Sequence, residues 1–370
     1  MLTDAALTLP VPFLDLRSSH DELKTDLLDE FGKLIDSNAF TNGPAVGAFE
    51  SDFAAYCRRT HCIGVASGLD ALRLALIAAG VEPGDEVLVP ANTFIATFEA
   101  VSQAGGTPVP VDVAATDLNM DVEAARAATT AHTRFVMPVH LYGQMADMRG
   151  LGELGLPIIE DACQAHGAVR DGATAGELGL AAAFSFYPGK NLGAFGDAGT
   201  LVADDDDLVA RVQALREHGQ RAKDDHELIG FTARLDTIQA IVLSRKLPLL
   251  DAWNNQRRSA AALYSQALDG VGDIELPPVA PNSDPVWHLY VIRTADPQAL
   301  ALHLRDREIG TGFHYPEPAH LSKAYRSLGY AEGSFPVAEA SAGRVLSLPM
   351  FPGITESQIE AVVDGVRAFF

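Results

Sequence analysis

The chain has 370 residues, 48% of them hydrophobic, and a formal net charge of −22, enough length to bury large cores in two or more domains. That acidity excludes nucleic acid as a partner, because phosphate backbones are held by Lys/Arg surfaces, and leaves open only a small anion gripped by a few local donors. Cys57, Cys62 and Cys163 are too few, and odd in number, for a disulfide framework, and no His/Cys cluster has zinc spacing; reduced thiols and no metal are expected.

The opening MLTDAALTLPVP lacks a basic region and a small-residue cleavage site, so it is not read as a signal peptide. The longest apolar runs, Gly179 to Phe186 and Ile238 to Leu243, fall short of the ~20 residues that cross a bilayer. No membrane partner and a cytoplasmic location are expected.

From about residue 60 to 245, short β-branched runs alternate with Ala- and Leu-rich stretches, which predicts βαβ units around a mostly parallel sheet. Strands are expected near Glu86 to Pro90, Thr107 to Val111, Phe135 to Leu141, Pro157 to Glu160, Ala182 to Tyr187 and Thr200 to Ala203. Leu69 to Ala79 is an amphipathic helix with Leu69, Leu72, Leu76 and Ala79 on one face. Asp207 to His218 is a second helix, with Asp204 to Asp207 at its N-terminus and Gly219 as its stop. The Pro- and Gly-containing segment Asp269 to Pro285 precedes a smaller unit with a strand at Trp287 to Arg293 and helices at Pro297 to Arg307 and Thr355 to Phe369. The expected domains are 1–250, an N-terminal segment with a large α/β domain, and 251–370, a smaller C-terminal domain.

Three motifs carry chemistry. Ser67-Gly68 opens the Leu69 helix, with Asp70 three residues after the serine; it is a capped helix start and also a place where exposed N–H groups favour an anion. In IIEDACQAHG, Asp161 and Gln164 stand just beyond an apolar strand, where doubly wound sheets bind ligands. Asp161 could equally cap the following turn, and Glu160, which continues the strand, is the weaker acid candidate. FSFYPGKNLGAFGDAG sets one lysine in an apolar, glycine-rich segment. A desolvated amine has a lowered pKa and a free lone pair, which makes Lys190 the nucleophile candidate.

These segments, taken with FLDLRSSHDEL, ASGLDALRLAL, PANTFIAT, PVHLYGQ, RLDTIQA and TGFHYPEPAHL, resemble the sugar aminotransferases named for DegT, DnrJ, EryC1 and StrS. The resemblance implies an α/β fold type I pyridoxal 5′-phosphate (PLP) transferase, aspartate aminotransferase-like, with a large, mostly parallel sheet domain and a smaller C-terminal α+β domain. It implies that Lys190 holds PLP as a Schiff base and that the cofactor cycles with pyridoxamine 5′-phosphate. Asp161 would pair with the pyridine nitrogen, an attraction of ~4 kcal/mol at ~4 Å and an effective dielectric near 20. Phe94 would stack on the ring, although alone it reads as a core residue. Gly68 and Leu69 N–H with the Ser185 hydroxyl would cradle the phosphate, and Gln164 would meet the ring hydroxyl. Thr232, in GFTARLD, stands where relatives usually carry an asparagine that reaches the neighbour's phosphate across a homodimer interface.

The resemblance further implies amino transfer from an amino acid, L-glutamate, to a sugar nucleotide. Relatives that are dehydratases carry histidine in place of the anchoring lysine, so Lys190 favours transamination. PVHLYGQ looks more like enzymes acting at C3 of a dTDP-3-keto-6-deoxyhexose than at C4. His140, Tyr142, His314 and Tyr315 are the substrate-binding candidates; the first two could instead be strand and turn residues, and the last two interface packing. Rival readings are a C4 or keto-inositol aminotransferase and a non-catalytic PLP-fold regulator. A nicotinamide enzyme is excluded, because no G-x-G-x-x-G lies between a strand and a helix.

Overall fold

The computed structural model describes residues 11–370; residues 1–10, most of the stretch weighed as a signal peptide, lie outside the described residues. Seven strands build the large sheet: β1 (His61–Val65), β2 (Glu86–Pro90), β3 (Thr107–Val111), β4 (Thr133–Val136), β5 (Ile159–Asp161), β6 (Ala181–Ser185) and β7 (Gly199–Ala203). Hydrogen bonds give the orders β3-β2-β4 and β1-β7-β6-β5. Bridges from Val136 to Ile158 and from Val139 to Asp161 join the two sets edge to edge. The pairs β2/β3, β2/β4 and β5/β6 are parallel, and β7 runs antiparallel to both its neighbours.

The strands are rich in apolar residues because both faces of the sheet are covered. Val87, Val89 and Leu201 point into one core with Leu72, Leu76 and Phe98. Their neighbours Leu88 and Val202 point into another with Phe49, Phe53, Phe184 and Phe186. Expected and observed limits coincide for β2 and β3. Where Phe135 to Leu141 was expected, β4 stops at Val136, because Pro138 has no N–H to give; its carbonyl still accepts from Asp161 N at 2.9 Å. β1 had no clear sequence signal: its Gly64 leaves room for Leu235, whose side chain would lie 2.7 Å from an added Cβ.

The longer helices are α1 (Lys24–Ser37), α2 (Pro44–Tyr56), α3 (Gly68–Ala79), α4 (Ala96–Ala104), α5 (Asp206–Arg216), α6 (Thr237–Lys246), α7 (Leu250–Leu268), α8 (Pro297–Arg305) and α9 (Glu356–Arg367). Asp205 caps α5 through Leu208 N at 2.8 Å. The antiparallel pair β8 (Tyr290–Arg293) and β9 (Val345–Leu348) packs with α7, α8 and α9 around Tyr264, Tyr290, Leu300, Leu346 and Val362. Val11 belongs to that same core. Among the described residues no helix is long and apolar enough to cross a membrane, and no group of three His, Cys, Asp or Glu is placed to hold a metal.

Candidate active site

A cavity of about 540 Å³ opens where β1, β2, β4, β5 and β6 end, the edge at which doubly wound sheets bind ligands. Ser67, Gly68 and Leu69 reach it from the start of α3, Phe94 and Thr97 from the segment after β2, Asp161 and Gln164 from the end of β5, and Ser185 and Lys190 from β6 and the turn beyond. His314 and Tyr315 close it from the C-terminal unit.

Ser67 caps α3, its Oγ accepting from Asp70 N at 3.0 Å, so the helix begins at Gly68 with its first N–H groups lacking intrahelical partners. A Cβ on Gly68 would sit 2.7 Å from both Cys163 Sγ and Ser185 Cβ. Only glycine lets these elements meet, and the result is a bare helix N-terminus beside the Ser185 hydroxyl, suited to a phosphate.

Asp161 is buried. Its Oδ2 accepts from the Thr97 hydroxyl at 2.8 Å and its Oδ1 from Cys163 N at 3.2 Å, and Thr97 Oγ1 is 2.9 Å from Thr93 Oγ1. A carboxylate has about four acceptor sites, so two donors aim the group without exhausting it. Gln164 accepts from Tyr142 N at 2.8 Å and donates to the Tyr315 hydroxyl at 3.1 Å. Phe94 is 52% exposed, lines the cavity and tilts against Tyr315 with ring centres 5.6 Å apart. An aromatic half in the open at the mouth of a cavity is a platform, not a core residue.

Among the described residues, Lys190 is the only lysine or arginine lining the cavity. Burial lowers its amine below the ordinary lysine range, opposed in part by the charge of Asp161. Burial also raises the Cys163 thiol well above its usual range. The turn that carries Lys190 is fixed at both sides. Asn191 Nδ2 donates to Asn254 Oδ1 at 2.8 Å, and Asn254 Nδ2 donates to the His166 carbonyl at 2.8 Å. Lys246, at the end of α6, donates to the Gly193 carbonyl at 2.6 Å. Asn254 thereby ties the lysine turn to the segment that follows Asp161.

Two substrate-binding candidates, His140 and Tyr142, do not line the cavity. His140 is fully buried: its Nδ1 accepts from Ala146 N at 3.1 Å and its Nε2 meets Glu160 Oε2 at 2.8 Å. Both ring nitrogens are committed on the side of the sheet away from the cavity. Glu160 also accepts from Gly176, Leu178 and Gly179 N–H groups, so its carboxylate is engaged in the fold. Tyr142 does not line the cavity either; its hydroxyl donates to the His314 carbonyl, so it supports the wall from behind. Thr232 is exposed, outside the cavity of its own chain, with Oγ1 3.1 Å from His218 Nε2. His314 stays in the site, its Nδ1 2.8 Å from the Ser347 hydroxyl, and burial, then the Lys190 charge, lowers it to about 4.

Sequence reasoning missed His288, Tyr187, Glu99 and Asp197, all of which line the cavity. His288 stands two residues before β8, and a polar residue at the entrance to an apolar strand was its one available signal.

Residues 21–367 match the DegT/DnrJ/EryC1/StrS aminotransferase family. The dTDP-3-amino-3,4,6-trideoxy-alpha-D-glucose transaminase of Streptomyces venezuelae is 47% identical over 370 residues, covering 99% of this chain and 98% of its own. The crystal structure of S. venezuelae DesV in complex with a ketimine intermediate superposes with a TM-score of 0.95 at 48% identity, over 97% of this chain and 98% of that one. NtdA from Bacillus subtilis, solved with bound cofactor PMP, superposes with a TM-score of 0.89 at 31% identity, over 97% and 84% of the two chains. With a helix terminus open to phosphate, a carboxylate with acceptor sites to spare and one desolvated lysine in a single cavity, the chain belongs to the DegT/DnrJ/EryC1/StrS aminotransferase family.

Proposed function

We propose that this chain is a PLP-dependent sugar aminotransferase that moves the amino group of L-glutamate to C3 of a dTDP-3-keto-6-deoxyhexose, with Lys190 as the covalent anchor of the cofactor. The observation that carries the reading is the desolvated Lys190 amine, without a hydrogen-bond partner among the described residues, in a cavity that also holds Asp161. The preference for C3 rests on the name of the S. venezuelae relative. When bound, PLP supplies an electron sink for cleaving and remaking bonds at the carbon that bears nitrogen.

The remaining work falls to the chain. Gly68 and Leu69 N–H groups and the Ser185 hydroxyl would hold the phosphate, Asp161 would pair with the ring nitrogen, Phe94 would stack on the ring, and Gln164 would meet the ring hydroxyl. The Lys190 amine would hold and return the proton that leaves the donor's Cα. His314 and Tyr315 line the side on which the sugar lies. The enzyme acts as a homodimer in which Thr232 reaches the neighbour's phosphate; Leu228 and Ile229, 40% and 95% exposed beside it, are the apolar surface expected of such a contact.

The deciding experiment is borohydride reduction of the holoenzyme followed by peptide mapping, with the label expected on Lys190. A label on any other peptide, or none, ends the reading. Assaying keto-sugars oxidised at C3 and at C4 then fixes the acceptor carbon.

A further inference from the structure

Three imidazoles lie within electrostatic reach of the Lys190 amine: His166, His288 and His314. His166 is enclosed against Phe184 and Phe186 and does not line the cavity. His314 is engaged with Ser347. His288 differs from both. It lines the cavity, its Nδ1 is buried with no hydrogen-bond partner, and Nε2, also unpartnered among the described residues, is the nitrogen left accessible.

The backbone that carries the ring is held in place. Gly143 packs so closely that an added Cβ would lie 2.9 Å from His288 N, and Arg257 donates to the neighbouring Trp287 carbonyl at 3.2 Å. Burial holds the imidazole well below its usual range, and the charges of Lys190 and Arg257 act in the same direction. A neutral ring carries one proton. Placing it on Nδ1 would bury a donor with nothing to receive it, whereas placing it on Nε2 leaves a lone pair unmatched and turns an N–H toward the cavity. Native structures retain few buried unmatched polar atoms, so one bordering a binding cavity points to a ligand.

We propose that His288 is a substrate-binding residue whose Nε2–H donates to an oxygen carried by the atom next to the reacting carbon. The inference rests on the reading of the cavity as the transamination site. Both substrates bring such an oxygen in turn: the α-carboxylate of the amino donor and the ring hydroxyl beside the sugar ketone. An uncharged donor suits this position, because the cavity also holds Glu99, Asp161 and Asp197, and a fixed cation would pair with those acids instead of the substrate.

Three variants of the holoenzyme test it. His288→Gln keeps a donor near Nε2, His288→Asn keeps one only on the Nδ1 side, and His288→Phe keeps ring volume with no donor. The KM for L-glutamate or for the dTDP-3-amino sugar, each measured in its own half-reaction by cofactor absorbance, is expected to rise roughly tenfold in the Asn and Phe variants. The Gln variant is expected to recover most of that loss, and whichever half-reaction moves identifies the oxygen. In the apoprotein, imidazole nitrogen shifts are expected to place the His288 proton on Nε2 at neutral pH. Wild-type KM values for both substrates in the Asn variant, or a proton found on Nδ1, overturn the proposal, and neither readout needs the Phe variant to fold. An absent lysine-linked absorbance in the wild type would instead overturn the underlying reading of the cavity, before any His288 variant is compared.

Discussion

The Thr97 hydroxyl donates to Asp161 Oδ2 across 2.8 Å, so a residue at the start of α4 sets the direction of a carboxylate at the end of β5. Asp161→Asn keeps that shape and removes the charge. With ~4 kcal/mol at stake in a close ion pair, kcat/KM should fall on the order of 10³-fold. Thr97→Val removes only the aiming bond and should cost about tenfold. Steady-state assays of both variants check this ranking, and a Thr97 variant as damaged as the Asp161 variant would contradict it.

Gly68 is a second point of sensitivity. An alanine there meets Cys163 Sγ and Ser185 Cβ at 2.7 Å, and overpacking of this kind costs ~1–3 kcal/mol. PLP titration of apo Gly68→Ala should show affinity weakened by about tenfold or more, with a lowered melting temperature. Wild-type affinity would show that the helix start can shift without harm to the phosphate.

Stability should carry the signature of Lys246. Burial lowers this amine to about 8, while an unfolded lysine titrates near ~10.4. Between those values the unfolded chain holds a proton that the native chain lacks, so the contribution of Lys246 to stability rises with pH through that window. Below it, the native state bears the cost of a buried charge. Urea unfolding of wild type and Lys246→Met at pH 7 and pH 9.5 should show the difference moving in favour of wild type at the higher pH. A difference that does not change with pH would mean the amine stays charged throughout.

Ile229 is the most exposed large apolar side chain among the described residues, at 95%. Ile229→Asp is expected to shift the protein toward monomer in sedimentation velocity and to weaken PLP binding, as Thr232 leaves the neighbour's site. A variant that remains a dimer with full cofactor affinity would remove the segment around residues 228–232 from the interface.

Much of the site was legible because its residues break local expectation. Lys190 stands in an apolar, glycine-rich turn, and Asp161 ends a short strand that follows the apolar run Leu156 to Ile159. His140 stayed open between two readings because a histidine after a strand looks the same in sequence whether it faces ligand or core. Strand alternation held the answer: Val139 bridges Asp161 and lines the cavity, so its neighbour His140 must turn to the opposite side. Phe94 could not be placed from the residues alone, since a phenylalanine after a strand is ordinarily core, and its exposure depends on the C-terminal segment that brings Tyr315 opposite. His288 lies 98 residues beyond Lys190 in the numbering, and only packing of the C-terminal unit brings the two together.

Glu160 and Asp161 are adjacent acids with incompatible surroundings, one sealed among three amide hydrogens and an imidazole, the other open to the cavity. Deleting or inserting a single residue just upstream of Ile159 would exchange them. It would send an unmatched carboxylate into hydrocarbon and leave the cavity facing an acid that nothing aims. That stretch of chain tolerates changes of side chain far better than changes of length, so the spacing between the two acids and the sheet is itself a fixed part of the enzyme.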